Sequence, residues 1–179
     1  MLIRPAEAAD WESIWPFFRE IVTIGETYCY PDQITSESAR SSWMTEAPGI
    51  TVVAELEGRI VGSARIGPNR DGRGAHVATA AFMVDPRSQG EGVGRALAEF
   101  TLDWARTTGY RAMQFNAVVA TNIGAVSLWK SLGFEILATV PEAFDHAADG
   151  LVGLHIMYRS LLDRPILRSE SSMRRVPRG

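Results

Sequence analysis

A strand, a glycine-rich turn and the start of a helix follow one another in Val84-Asp85-Pro86-Arg87-Ser88-Gln89-Gly90-Glu91-Gly92-Val93-Gly94-Arg95-Ala96-Leu97. Such a turn leaves backbone N–H groups unpaired at the positive end of a helix, where they can bind phosphate oxygens. Glycine has no Cβ and lets the backbone approach an anion closely. The segment therefore predicts an anion site, although a purely structural strand-to-helix turn would have the same sequence.

Two kinds of nucleotide site do not fit this turn. A Walker loop ends in Gly-Lys-Ser/Thr, whereas Gly94 is followed by Arg95-Ala96. A dinucleotide fold places an acidic residue about 20 positions further on, at the end of the next strand. The segment 111–116 holds no acidic residue, so neither class of site is expected.

The flanking sequence predicts an α/β sandwich around a mixed sheet. The helices are predicted over 11–24, from Thr35 or Ser36 to Met44, and over 94–107 and 122–132, with Asp10 as a cap of the first. The strands are predicted over 2–4, 50–55, 59–66, 76–84, 111–118, 134–140 and 151–158, with Glu57-Gly58 turning a hairpin.

Composition narrows the class of protein. The 179 residues are 46% hydrophobic and carry 18 Lys+Arg against 21 Asp+Glu, a net charge of −3. We expect one domain over 1–162 and a basic tail over 163–179 that is mobile. The net negative charge argues against a nucleic-acid binder.

The N-terminus is not typical of a signal peptide, and no apolar run approaches the ~18 residues of a membrane span. A cytoplasmic protein without membrane contact is therefore expected. With Cys29 as its sole cysteine, the chain is expected to hold no metal.

Three motifs resemble those of one superfamily. Gln89-Gly90-Glu91-Gly92-Val93-Gly94 resembles the Arg/Gln-x-x-Gly-x-Gly/Ala signature of the GNAT superfamily of acyl-CoA-dependent N-acyltransferases. The preceding strand closes on Phe82-Met83-Val84-Asp85-Pro86. The segment Asn122-Ile123-Gly124-Ala125-Val126-Ser127-Leu128-Trp129-Lys130-Ser131-Leu132-Gly133-Phe134 is similar to the superfamily's Asn-x-x-Ala-x-x-Leu-Tyr-x-x-x-Gly-Phe. The resemblance covers about residues 2 to 160 and implies a mostly antiparallel twisted sheet with helices on both faces.

The resemblance also implies acetyl-CoA as the acyl donor. Its pyrophosphate would lie on the turn, and its pantetheine arm would pair with the exposed backbone of Phe82 and Val84 as an added strand. The amide of Asn122 would reach the pantetheine or the phosphate side, and Asn122 would also serve as a helix cap, which could be its sole role. The implied donor-binding residues are Phe82, Met83, Val84, Gln89, Gly90, Glu91, Gly92, Val93, Gly94, Arg95, Asn122, Ala125 and Trp129.

Acyl transfer to an amine needs a neutral nitrogen, a stabilised oxyanion and a protonated leaving thiolate. The resemblance implies that a backbone N–H near Val84 holds the oxyanion. The sequence departs from the superfamily at both proton-handling positions: Trp129 replaces a tyrosine acid, and Thr79-Ala80-Ala81 lacks a carboxylate base. Since the coenzyme A thiolate is a fair leaving group, turnover does not require the acid. Cys29 shows no base partner, which favours direct transfer in a ternary complex.

Two segments are expected to cover the acceptor side. In Gly25–Asp32, Glu26 is the first candidate for the base or ammonium anchor, and Thr27, Tyr28 and Tyr30 are candidates for the pocket wall, although the tyrosines could equally be core residues. In Val140–His146, expected to precede the last strand, His146 is a second candidate base because its ordinary pKa is near 6.5.

The favoured function is N-acetylation of a small primary amine such as an amino acid or an amine-bearing antibiotic. A catalytically silent acyl-CoA-binding or regulatory module is an alternative, because both usual proton-handling residues are missing. A protein N-terminus or lysine is a further candidate acceptor. A homodimer is the default expectation from the resemblance.

Overall fold

The structure is a computed structural model that describes residues 1–162. The tail predicted over 163–179 lies outside the described residues. The strands are β1 (Leu2–Pro5), β2 (Ile50–Leu56), β3 (Arg59–Pro68), β4 (Val77–Val84), β5 (Ala112–Val119), β6 (Glu135–His146) and β7 (Gly150–Ser160). The helices are α1 (Trp11–Ile24), α2 (Ser36–Trp43), α3 (Val93–Thr107) and α4 (Ile123–Ser131).

The seven strands form one sheet in the order β1-β2-β3-β4-β5-β7-β6. Its neighbours pair antiparallel except β4 and β5, which are parallel. Side chains alternate between the faces: Val52 and Ala54 pack with α3, and Val53 packs with α1 and α2. The predicted mixed, mostly antiparallel sheet with helices on both faces is therefore confirmed.

Local signals at the helix starts explain two of these bounds. Thr35 caps α2, since its hydroxyl accepts the N–H of Ser38 at 3.2 Å. Asp10 precedes α1 but makes no cap bond to it. Its carboxylate instead accepts the N–H of Glu7 at 2.7 Å and pairs with the Arg4 guanidinium at 2.7 Å. The predicted cap is thus wrong, because an ion pair to β1 takes its acceptor oxygens.

A wedge opens between β4 and β5. The two strands are paired only at Val77 with Ala112 and Ala78 with Met113. Beyond that point β4 keeps pairing with β3 as far as Val84, while β5 pairs with β7. The rest of β4 therefore presents an unpaired backbone edge inside the molecule, next to the glycine-rich turn.

The strand predicted over 134–140 continues to His146, so the segment 141–146, expected to precede the last strand, belongs to β6. Phe144, Asp145 and His146 pair with β7, and the register shifts between Val140 and Phe144. Pro141 has no N–H for the ladder, and Glu142 has a φ of 52°. This bulge interrupts the two-residue periodicity, which is why the alternating sequence pattern ends at Val140.

Candidate active site

The wedge between β4 and β5 is a cavity of about 510 Å³ that opens to solvent. Four groups of residues contribute to its wall: the two strand edges, the glycine-rich turn, α4, and the loop after α1. The lining residues are Ile21, Thr27, Tyr28, Cys29, Tyr30, Arg65, Ala80, Ala81, Phe82, Met83, Val84, Gln89, Gly94, Phe115, Asn116, Ala117, Val118, Val119, Asn122, Ala125, Leu128 and Trp129.

The glycine-rich turn has the geometry of an anion site at one end of this cavity. Gly90 and Gly92 have φ of 85° and 79°, a conformation that other residues rarely adopt. Gly92 precedes α3 without a capping side chain, so the first N–H groups of α3, from Val93 to Arg95, have neither an intrahelical acceptor nor a cap. These N–H groups and the helix dipole can hold a pyrophosphate.

Asp85 holds the start of the turn. Its carboxylate accepts the backbone N–H of Arg87 at 3.0 Å and the Arg87 Nε–H at 2.9 Å. Partial burial works in the opposite direction, but the hydrogen bonds and charge of Arg87 keep the pKa of Asp85 below its ordinary value. The exposed Arg95 guanidinium hydrogen-bonds Ser131 at 2.9 Å and lies 3.7 Å from Glu99. Arg95 therefore adds charge on the outer side of the turn.

The backbone of Phe82 is not exposed as predicted. The N–H of Asp85 bonds the carbonyl of Val61 in β3, so the polar backbone groups of Phe82 and Val84 alternate to the opposite, wedge side. There the Tyr28 hydroxyl donates to the Phe82 carbonyl and accepts the Phe82 N–H at 3.0 Å. Burial raises the pKa of Tyr28, which stays a neutral phenol. The Val84 backbone, predicted to stabilise the oxyanion, faces the same cavity.

The α4 wall is aromatic and apolar. Asn122 caps α4, because its side-chain oxygen accepts the N–H of Ala125 at 3.0 Å. Trp129 is buried, with its ring centroid 4.8 Å from that of Phe82 and 4.7 Å from that of Phe115. Trp129 thus shapes the cavity by packing, and its indole supplies no acid at neutral pH.

The loop after α1 forms the other end of the cavity, but not through every predicted residue. Thr27, Tyr28, Cys29 and Tyr30 line it, and the rings of Tyr28 and Tyr30 stack with centroids 5.8 Å apart. Glu26 is exposed and does not line the cavity. Desolvation raises the pKa of the Cys29 thiol, the opposite of what activates a nucleophile.

His146 does not reach the cavity either. It is buried at the end of β6, where its Nδ1 accepts the N–H groups of Ala148 at 3.2 Å and Asp149 at 3.1 Å. The ring therefore stabilises the turn between β6 and β7. The structure does not place either predicted base, Glu26 or His146, at the cavity.

Arg65 lies in the cavity wall, although no sequence motif marks it as a site residue. Its guanidinium carbon lies 5.9 Å from the ring centroid of Trp43. Its Nε is buried and has no hydrogen-bond partner in the structure. The available signal was a lone charge between apolar and small residues in the middle of β3.

Residues 1–162 contain no group of three or more His, Cys, Asp or Glu side chains that could hold a metal ion. In the same part of the chain no helix is both long and apolar enough to cross a membrane.

The split sheet, with the glycine-rich turn at one end of its wedge, fits an acyltransferase, and comparison with known proteins assigns the family. The model of the Acetyltransferase (GNAT) family matches residues 11–134, more than half of the chain. The chain therefore belongs to the GNAT acetyltransferase family and is an acetyltransferase.

Individual relatives span most of the chain. A GCN5-related N-acetyltransferase from Kribbella flavida is 55% identical, with a TM-score of 0.86, and the match covers 89% of this chain and 96% of that one. The L-amino acid N-acetyltransferase AaaT of Escherichia coli (strain K12) is 32% identical over 78% of this chain and 85% of its own length. A ribosomal-protein-alanine N-acetyltransferase from Brucella melitensis is 25% identical, with a TM-score of 0.80, over 89% of this chain and 99% of that one. Two further proteins of this fold were solved with acetyl-CoA.

Proposed function

We propose that this acetyltransferase moves the acetyl group of acetyl-CoA directly to the primary amine of a small molecule, with donor and acceptor bound together. The observation that carries the proposal is the continuous cavity between β4 and β5. It joins the uncapped N-terminus of α3 at one end to the loop after α1 at the other.

The donor would occupy the α3 and α4 side of this cavity. The first N–H groups of α3 suit the pyrophosphate, and the unpaired edge of β4 suits the amides of the pantetheine arm. Leu128 and Trp129 give this side an apolar wall. Pairing of the arm with Phe82 would require the Tyr28 hydroxyl to leave the Phe82 backbone.

The acceptor would enter from the side of the loop after α1. Its neutral nitrogen attacks the thioester carbon, a C–N bond forms, and the C–S bond then breaks. The extra proton on nitrogen passes to water, and the coenzyme A thiolate leaves and takes up a proton from solvent. The Val84 N–H would stabilise the oxyanion.

Proton transfer through water follows from the cavity wall. Among the described lining residues, none carries a carboxylate or an imidazole. Positioning of the two substrates and the oxyanion donor are therefore the main sources of rate. The missing acid is tolerable because the thiolate is a fair leaving group.

Thiol release from acetyl-CoA, measured with a panel of amino acids, polyamines, aminoglycosides and peptides, tests this function. Gly92→Glu puts a negative charge at the phosphate site and should abolish amine-dependent release. Gly109→Glu is the matched control, because Gly109 also has a positive φ of 95° and open space around it but follows the opposite end of α3.

Three outcomes are informative. Release with small amines that is lost only in Gly92→Glu supports the proposal. Release with peptides alone would make the protein a protein acetyltransferase. Stabilisation of the unmodified protein by acetyl-CoA, with no release for any amine, would favour the silent binding module.

A further inference from the structure

Arg65 is a cation without a counter-ion in the wall of the cavity. Among residues 1–162, no carboxylate lies within 4.0 Å of its guanidinium, and none of its N–H groups makes a hydrogen bond. Its Nε is buried, the residue as a whole is half-buried, and its guanidinium carbon lies 5.9 Å from the ring centroid of Trp43. A buried N–H without an acceptor is costly, and an anionic group of a ligand in the cavity would supply the missing acceptor.

The position of Arg65 assigns it to the acceptor and not to the donor. It lies directly opposite Ala81 in the β3–β4 register, and both residues belong to the sheet face that carries α1 and α2. Val84 is three residues further along β4, about 10 Å away, and the phosphate-binding turn begins only after it. The anionic part of coenzyme A therefore has its own site at the other end of the cavity.

The charge of Arg65 selects among amines. A polyamine or an aminoglycoside carries only positive charge and would be repelled by an unpaired, half-buried guanidinium in the cavity wall. An acceptor that brings its own anion would instead pair with it. The guanidinium is planar and can bind a carboxylate through two parallel N–H···O bonds.

We propose that Arg65 binds the carboxylate of the acceptor, so that the acceptor is an amino acid. The assignment rests on the proposed function, because it takes the acceptor to be a small amine in this cavity. The stacked rings of Tyr28 and Tyr30 lie on the same side and would surround the rest of the amino acid.

The experiment compares each amino acid with its own carboxamide, which keeps the amine and side chain but lacks the carboxylate. The quantity measured is the ratio of kcat/KM for the acid to kcat/KM for the amide, in wild type, Arg65→Met and Arg19→Met. Arg19 is an exposed residue of α1 outside the cavity, so Arg19→Met controls for the change in net charge.

We expect Arg65→Met to lower the acid-to-amide ratio of kcat/KM about 50-fold, through a higher KM for the acid, which is a typical loss for a charge-assisted pair. The KM for acetyl-CoA and the ratio in Arg19→Met should not change.

An unchanged ratio in Arg65→Met, or an equal loss for acid and amide, would overturn the assignment while leaving the acetyltransferase function intact. A structural role for Arg65 predicts a lower Tm in Arg65→Met, whereas we expect Tm to stay or rise because Nε has no partner to lose. If no amine releases thiol at all, the proposed function fails. The carboxylate site is then tested by binding alone, as the shift in Tm that L-amino acids cause in the presence of coenzyme A. A shift that is lost in Arg65→Met would support the site, and no shift in either protein would overturn it.

Discussion

At the scale of single residues, Tyr28 has the most unusual environment in the site. One hydroxyl satisfies both the N–H and the carbonyl of Phe82, on the edge of β4 that the resemblance assigns to pantetheine. The same two backbone groups cannot serve Tyr28 and the donor at once. Binding of acetyl-CoA in the proposed position must therefore displace the phenol.

Replacing Tyr28 tests this exchange. Tyr28→Phe leaves two partly buried backbone groups of Phe82 without a protein partner and should lower the free energy of unfolding by about 1 kcal/mol. Saturating acetyl-CoA should then raise Tm more in Tyr28→Phe than in wild type, because no hydroxyl has to be displaced. Thermal unfolding with and without acetyl-CoA measures both effects.

Tyr30→Phe is the matched control. Tyr30 stacks on Tyr28, but its hydroxyl makes no hydrogen bond within residues 1–162. It should change neither Tm nor the shift. Equal shifts in Tyr28→Phe and wild type would mean that the donor does not use the Phe82 backbone.

At the scale of elements, the hairpin of β6 and β7 separates structural from catalytic roles. His146 holds the turn of this hairpin and lies outside the cavity. His146→Ala should lower the free energy of unfolding by about 1–3 kcal/mol, since two N–H groups lose their acceptor. Its kcat/KM, measured well below the new Tm, should stay within about twofold of wild type.

A catalytic base would behave differently. Loss of a general base costs about 100-fold or more in rate, so a fall of that size in His146→Ala would restore its predicted role. Glu26→Gln makes the same comparison for an exposed residue: we expect neither Tm nor kcat/KM to change.

The elements themselves could be predicted from sequence because their signals are local. The alternation of 59–66 and the amphipathic pattern of 94–107 match β3 and α3 closely. The end of β6 could not be predicted from sequence, because Pro141 and Glu142 form a bulge and the strand beyond it is defined by its pairing with β7. Glu26 was misplaced for a related reason, because no periodicity reports which way a loop side chain points.

The sequence locates the glycine-rich turn because its glycines are local signals. The structure places this turn directly before α3 and gives Gly90 and Gly92 positive φ, which the sequence analysis did not predict. The significance of Arg65 depends on contacts far apart in the chain, with Trp43 and with Ala81 across the sheet. The bond between Tyr28 and Phe82 joins residues 54 positions apart. No pattern within one segment contains such information.

At the scale of the whole molecule, the proposed function gives donor and acceptor separate approaches to one cavity. The α3 and α4 face leads to the glycine-rich turn, and the α1 and α2 face leads to Arg65 and the tyrosines. Nothing in this arrangement requires the acetyl group to rest on the protein between two half-reactions. The one cysteine at the cavity, Cys29, has a raised thiol pKa, which disfavours the thiolate that such a step would need.

The kinetic pattern should reflect this architecture. Initial rates measured against acetyl-CoA at several fixed acceptor concentrations should give intersecting double-reciprocal lines, because both substrates must be bound before transfer. A covalent acetyl-protein would give parallel lines. Cys29→Ser should keep kcat within about twofold of wild type, since the thiol takes no part in bond formation. Parallel lines together with loss of turnover in Cys29→Ser would contradict direct transfer and indicate a two-step route through the thiol. The separate approaches on the two faces of the sheet would then need another explanation.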